Sequence, residues 1–195
     1  MVRLQMKWLS WLLIVSGIGF MVLALGKLVY THYETNQSIV KAKERIENIP
    51  ASDERKGSDR FLPNEGEAVG LLSIPRLEAE LPIIEGTDPD DLDKGVGHYK
   101  GSYYPDENGQ IILSGHRDTV FRKIGELEIG DTFVVELPYG SFTYEMVKTK
   151  IVDADDTSII TLQNKEEELI VTTCYPFSYI GNAPERYIMY AKRVS

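Results

Sequence analysis

The sequence predicts a mainly β protein, a small closed or nearly closed barrel of about eight strands set behind one membrane-spanning helix. Short runs rich in Val, Ile, Tyr and Thr recur from Ala68 to the C-terminus, parted by turn-forming Gly, Pro, Asn and Asp. The segments between them are too short for more than brief helices. Ahead of them, residues 8–26 form nineteen consecutive positions without a charge. These features divide the chain into a tail and anchor (1–30), an amphipathic helix and linker (31–65) and a barrel (66–195).

Bulk composition agrees with one folded domain plus appendages. Hydrophobic residues make up 43% and charged residues 26% of the chain, an ordinary folding composition. The net charge is −9, and the first thirty residues hold Arg3, Lys7 and Lys27 with no acid, so the remainder is more acidic still. Such a surface repels polyanions and argues against nucleic-acid binding.

Taken in order, "WLSWLLIVSGIGFMVLALG" spans roughly 28 Å as a helix, close to the hydrocarbon thickness of a bilayer. Trp8, Trp11 and Tyr30 lie near its ends, where amphipathic rings favour the interface. A cleaved signal peptide is the competing reading, because Ala24 and Gly26 are small, but the run exceeds the roughly 7–15-residue core of a signal. Basic residues flank both sides of the span, so the short N-terminal tail and the long acidic domain set the expected orientation, with the domain outside. Next, Ile39, Ala42, Ile46 and Ile49 recur at helical spacing until Pro50, which predicts a short amphipathic helix lying against the domain. Residues 51–66 are polar and rich in breakers, as a linker is.

The predicted strands follow. "AVGLLSI" and "AELPIIEG" are broken by Pro75, and "DPDDLDKGV" reads as a short helix or turn. "GHYKGSYY" leads through "PDENG" to "QIILSGH", and "VFRKIGEL" is a helical turn. "DTFVVELP", "FTYEMVKTKIV", "EELIVTTC" and "RYIMYAKRV" complete the set.

Cys174 is the only cysteine. A lone cysteine after an apolar run is most often a small buried hydrophobe. Here Tyr175-Pro176 stops the strand, so Cys174 sits at a strand end, and the next strand begins near Arg186. Paired as an antiparallel hairpin, the two strands bring Cys174 and Arg186 to the same rim, beneath the loop 175–185. A guanidinium there favours thiolate over thiol and can also donate to an oxyanion. His116 ends another apolar strand, "IILSGHRD", where Ser114 and Gly115 leave room for close backbone approach. Each residue alone has an ordinary structural explanation. Together at strand ends of one barrel, a Cys, a His and an Arg are the set that nucleophilic acyl transfer needs.

The segments "LSGHRD", "LIVTTC" and the Arg of "APERYIMYAKRV" resemble, in order, the three signature segments of sortases, the cysteine transpeptidases of Gram-positive cell envelopes. The resemblance covers roughly residues 66–195. It implies the eight-stranded sortase β-barrel, with Cys174 as nucleophile, His116 as general acid/base and Arg186 stabilising the oxyanion or holding substrate. The short link between "TKIV" and "EELIVTTC" leaves little room for the inserted helix of class B. A chain ending at Ser195 without a second span, and no lid segment before the barrel, argue against class C. "CYPFSYIGNAPERY" looks most like class D, with class A as second choice. The resemblance also explains the unpaired thiol, since a disulfide would consume the nucleophile.

By that resemblance the substrates are secreted proteins with an LPxT-type sorting motif, and the acceptor is an amine of a peptidoglycan precursor. The enzyme is expected at the cell membrane, single-pass, with its catalytic domain extracellular. No cofactor is expected. Some class A sortases bind regulatory calcium near the loop that here holds Asp153, Asp155, Asp156, Glu166, Glu167 and Glu168, although scattered acids are usually a solvated face. Weaker candidates are His98, before a strand; His32, at the membrane surface; Arg117, whose side chain should diverge from His116; and Thr173, which reads as structural. Two other readings stand beside the transpeptidase: a thiol protease that only hydrolyses, and a non-enzymatic tethered binding barrel.

Overall fold

The computed structural model describes residues 2–48, 61–178 and 181–194; the predicted helix end at Ile49-Pro50 and linker residues 51–60 lie outside the described residues. The first element is one continuous helix, α1, Val2–Asn48. Two separate helices were expected, an anchor and an amphipathic one. They merge because "KLVYTHYETNQS" contains neither Pro nor Gly, so nothing interrupts the i→i−4 ladder between them. The two halves differ in what they touch. Ala42 is fully buried, and with Ile39 and Ile46 it packs on Ala68, Leu71 and Ile84. Lys43 pairs with Glu80 at 2.5 Å and Arg45 with Glu67. None of the described side chains of the apolar half is buried: Trp8 is 77% and Leu23 71% exposed. It is long and apolar enough to cross a membrane. Apolar area left in water costs about 25 cal/mol per Å², so a lipid environment is the one that suits this surface.

Eight strands close into a barrel in the order β1-β2-β3-β4-β7-β8-β6-β5. They are β1 (Ala68–Ile74), β2 (Ala79–Glu85), β3 (Val96–His98), β4 (Gln110–Gly115), β5 (Thr132–Leu137), β6 (Gly140–Asp153), β7 (Glu168–Tyr175) and β8 (Glu185–Arg193). A four-residue helix, α2 (Pro89–Leu92), joins β2 to β3. All pairings are antiparallel except β2–β3 and β4–β7. Parallel neighbours need a long crossover, and β5 and β6 travel the far side of the barrel between β4 and β7.

Strand alternation sorts the side chains into two clusters. Ile111, Leu113, Leu169, Val171 and Met189 point inward with Leu72, Phe133, Tyr144 and Met146. Ile112, Ile170 and Ile188 point outward, where Val152, Ile159, Ile160 and Tyr99 cover them. Both faces of β4, β7 and β8 are thus buried, which is why "QIILSGH" and "EELIVTTC" read as unbroken apolar runs.

At the other end of β3 a polar network is sealed inside. Glu85 Oε2 lies 2.6 Å from His98 Nδ1 and accepts from the Tyr104 hydroxyl at 2.5 Å. Ser102 Oγ is 2.9 Å from His98 Nε2, and the His98 and Tyr104 rings stack at 4.0 Å. Both nitrogens of His98 are occupied and the residue is 1% exposed, so it has no rim role. Across the barrel the Tyr144 hydroxyl donates to Glu167 Oε1 at 2.6 Å.

Burial, then the Glu85 carboxylate, hold the Tyr104 phenol far above its ordinary 10.0. Burial, then the bond to Glu167, do the same for Tyr144. A raised folded-state value means that the stabilisation is complete below pH 10 and shrinks above it, as the unfolded chain alone loses these protons. Each such proton costs about 1.4 kcal/mol per pH unit. Chemical unfolding from neutral to strongly alkaline pH should therefore show a declining stability above pH 10. Tyr104→Phe should make that decline shallower, whatever it does to stability at neutral pH. An unchanged slope would show that Tyr104 titrates normally in the fold.

Candidate active site

Cys174 lies one residue from the end of β7 and is half-buried and unpaired. In the antiparallel β7–β8 ladder it faces Arg186 directly, as the hairpin reading expects. Facing residues in such a ladder have Cα atoms about 4.5–5.5 Å apart and side chains on one face. On the other side β4 runs parallel to β7 with Gly115 opposite Thr173, so His116 is the next step along, beside Cys174. Thr173 Oγ donates to the Gly115 carbonyl at 2.7 Å and fastens this register, consistent with its structural reading. The three side chains thus come from three neighbouring strand ends. They stand with Ile112, Ile170 and Ile188 on the outer wall of the barrel, not in its mouth.

The turn after His116 is tightly held. The Phe121 amide donates to the His116 carbonyl at 3.0 Å, and the fully buried Phe121 ring packs over Gly115. A Cβ at Gly115 would come within 2.5 Å of that ring, which accounts for the glycine. His116 Nε2 lies 3.9 Å from Asp93 Oδ1, just past α2. His116 is half-buried and Asp93 exposed, and at this separation the pair orients more than it stabilises.

Arg117 diverges from His116, as expected, and takes up a task the sequence did not suggest. Its Nη1 donates to the Pro176 carbonyl at 3.1 Å and its Nη2 to the Gly181 carbonyl at 2.7 Å. It therefore pins the β7–β8 loop, of which residues 179–180 are outside the described set, to the turn after β4. Arg186 Nη1 donates to the carbonyls of Glu185 at 3.0 Å and Ala183 at 3.3 Å. That leaves Nε and Nη2 unengaged by the described residues. Past Cys174, Tyr175, Phe177 and Tyr187 form an aromatic cluster with ring separations of 5.1–6.0 Å.

Two of the acids flanking the loop before β7 have partners of their own. Among the described residues no three His, Cys, Asp or Glu side chains are grouped to hold a metal. Glu167 is committed to Tyr144, to the Asp106 amide at 2.8 Å and to Arg193, while Asp156 accepts from the Ser158 amide at 2.9 Å. Of the unassigned residues near the site, Asp93 and Arg117 had no signal in spacing. Each meets its partner only through the folded topology.

A thiol, an imidazole and a guanidinium on adjacent strand ends of a closed barrel are the equipment of a cysteine-dependent acyl transferase. Comparison with known proteins gives the family. Residues 72–194 match the sortase domain. The chain is 58% identical to Sortase D of Bacillus subtilis, over 94% of its own length and 97% of that protein. It is 30% identical to Sortase SrtE1 of Streptomyces coelicolor over 84% of its length, spanning about half (51%) of that larger protein. Among solved structures, the catalytic domain of B. anthracis SrtD superposes with a TM-score of 0.58 at 43% identity, covering 72% of this chain and 97% of that one. A Clostridium perfringens Sortase D5 transpeptidase shares the fold with a TM-score of 0.72 at 24% identity, covering 84% and 99%. The chain belongs to the sortase family, whose members are cysteine transpeptidases of the cell wall, and the similarity to Sortase D agrees with the class D reading of its loop.

The two bonds of Arg117 give this site its first test. Arg117→Ala should lower kcat/KM for a sorting-motif peptide about tenfold, because the loop over Cys174 loses its tie and substrate its alignment. The stability loss should stay near 2 kcal/mol, the scale of hydrogen bonds to a charged group. Unchanged kcat/KM would mean that other contacts position the loop.

Proposed function

We propose that Cys174 is the nucleophile, His116 the general acid and base, and Arg186 the group that steadies the oxyanion, in a transpeptidase specific for LPxT-type sorting motifs. The observation that carries this reading is the register: Cys174 faces Arg186, and His116 is one step beyond the residue opposite Thr173. The Cys174 thiolate attacks the threonine carbonyl of a secreted protein. Arg186 and nearby backbone N–H groups take the developing negative charge. Protonated His116 gives its proton to the departing amine, leaving a thioacyl enzyme. A primary amine of a peptidoglycan precursor then attacks, His116 accepts its proton, and the Cys174 thiolate departs.

The same reading assigns residues 1–30 to a single-pass anchor, 31–65 to a spacer and 66–195 to the catalytic unit outside the cell. The exposed apolar half of α1 and the acidic remainder of the chain support that division.

Kinetics separate the roles and the rival protease. His116→Ala and Arg186→Ala should each lower turnover by about 10²-fold or more. Arg186→Lys should recover little, since an ammonium lacks the planar two-pronged donor. With peptide alone, wild type should hydrolyse slowly; a suitable amine, such as oligoglycine or a diaminopimelate-containing stem peptide, should speed turnover and yield an amide. Near-normal turnover in His116→Ala would remove His116 from the mechanism. Hydrolysis as the sole product with several different amines would make the protein a thiol protease.

A further inference from the structure

Strand register divides the outer wall of the barrel into rows. His116, Cys174 and Arg186 make up the first. Two residues further along each strand, alternation returns to the same face. There Ser114 of β4 stands opposite Thr172 of β7, with Gly97 of β3 on one side and Ile188 of β8 on the other. The row after that is apolar and closed, since Ile112 and Ile170 are buried beneath Tyr99, Ile159 and Ile160.

The middle row is chemically out of place. Ser114 and Thr172 are half-buried, and neither hydroxyl bonds to any of the described residues. The neighbouring Thr173 shows the contrast, with its hydroxyl buried and spent on the Gly115 carbonyl. Both flanks of the row are shut. A Cβ at Gly97 would come within 2.4 Å of the Gly86 carbonyl and 2.8 Å of the Leu92 side chain, and Ile188 is fully buried. Two free hydroxyls thus lie side by side at the foot of a notch one row deep, directly below the thiol and the imidazole. A group that fills the notch takes their water away and must give each a partner in return.

We propose that Ser114 and Thr172 form the subsite for the side chain of the acyl-donating threonine. The proposal rests on the transpeptidase reading above and deepens it by naming the groups that select that residue. Same-face residues of a strand are about 7 Å apart. A donor whose carbonyl carbon rests against the Cys174 Sγ therefore brings its own Cβ substituents within reach of the second row. A threonine hydroxyl accepts one hydrogen bond and donates another, and two adjacent hydroxyls supply both counterparts. Valine has the same shape, but it would strip both hydroxyls of water and return nothing. The notch thus selects for the hydroxyl and not for size. Ser114 and Thr172 determine specificity, and neither exchanges a proton with the reacting atoms.

The test uses the full chain in detergent micelles and three sorting-motif peptides that differ only at the acyl residue, which is threonine, serine or valine. Wild type should cleave the threonine and serine peptides, and the valine peptide about a hundredfold less well in kcat/KM. In Ser114→Ala, and separately in Thr172→Val, the threonine-to-valine ratio should fall about tenfold, the scale of one hydrogen bond. Thr172→Ser keeps the hydroxyl and should keep the ratio. Losses of folding or alignment lower both peptides together and cancel in that ratio, so a merely structural role would leave it unmoved. The proposal is overturned if wild type cleaves the threonine and valine peptides equally, or if either Ser114→Ala or Thr172→Val retains the wild-type ratio. Failure of wild type to cleave the threonine peptide at all would instead overturn the underlying transpeptidase reading.

Discussion

Thr173 and Gly115 meet across the parallel β4–β7 pair, and the register they close sets every distance in the candidate site. Their residues are 58 positions apart in the chain, so the contact forms only when β5 and β6 have wrapped the barrel. A slip of one residue in either strand would turn its side chains to the opposite face and carry Cys174 or His116 from the outer wall into the core. The slip is opposed from both sides. Leu169 and Val171 are locked in the interior, while Ile112, Ile170 and Ile188 are locked beneath the covering loop. The burial that makes these strands stable is thus what aligns the thiol with the imidazole.

Placement on the outer wall has a consequence for access. A nucleophile in the barrel mouth would compete with the aromatic plug of Tyr175, Phe177 and Tyr187 for space. On the wall, His116 lines a cavity between α1 and the turn after β4.

Much of this was legible in the sequence, and the parts that were not share a cause. The eight strands followed from β-branched runs and turn residues. The facing of Cys174 and Arg186 followed from a local hairpin, whose register depends on only a few intervening residues. The parallel β4–β7 pairing carries no local signal, so the adjacency of His116 and Cys174 rested on resemblance until the topology supplied it. Arg117 was legible only as a residue that turns away from His116, because the carbonyls it holds belong to Pro176 and Gly181. The helix at 35–49 was expected as a separate piece, since a change from all-round to one-sided apolarity looks like a boundary. Without a breaker the backbone ignores such a change. His98 looked like a rim candidate because it was read as preceding a strand, yet Glu85 and Ser102, distant or unremarkable in sequence, enclose it.

The central claim is that Cys174 carries the acyl group between two substrates. Intact-mass measurement of the full chain, quenched in acid during turnover of a sorting-motif peptide without amine, tests it most directly. The account expects an adduct equal to the peptide fragment ending at threonine, mapped to the segment holding Cys174, released by hydroxylamine and absent from Cys174→Ala. Peptide cleavage that proceeds in Cys174→Ala, or an adduct mapped to any other residue, would contradict it.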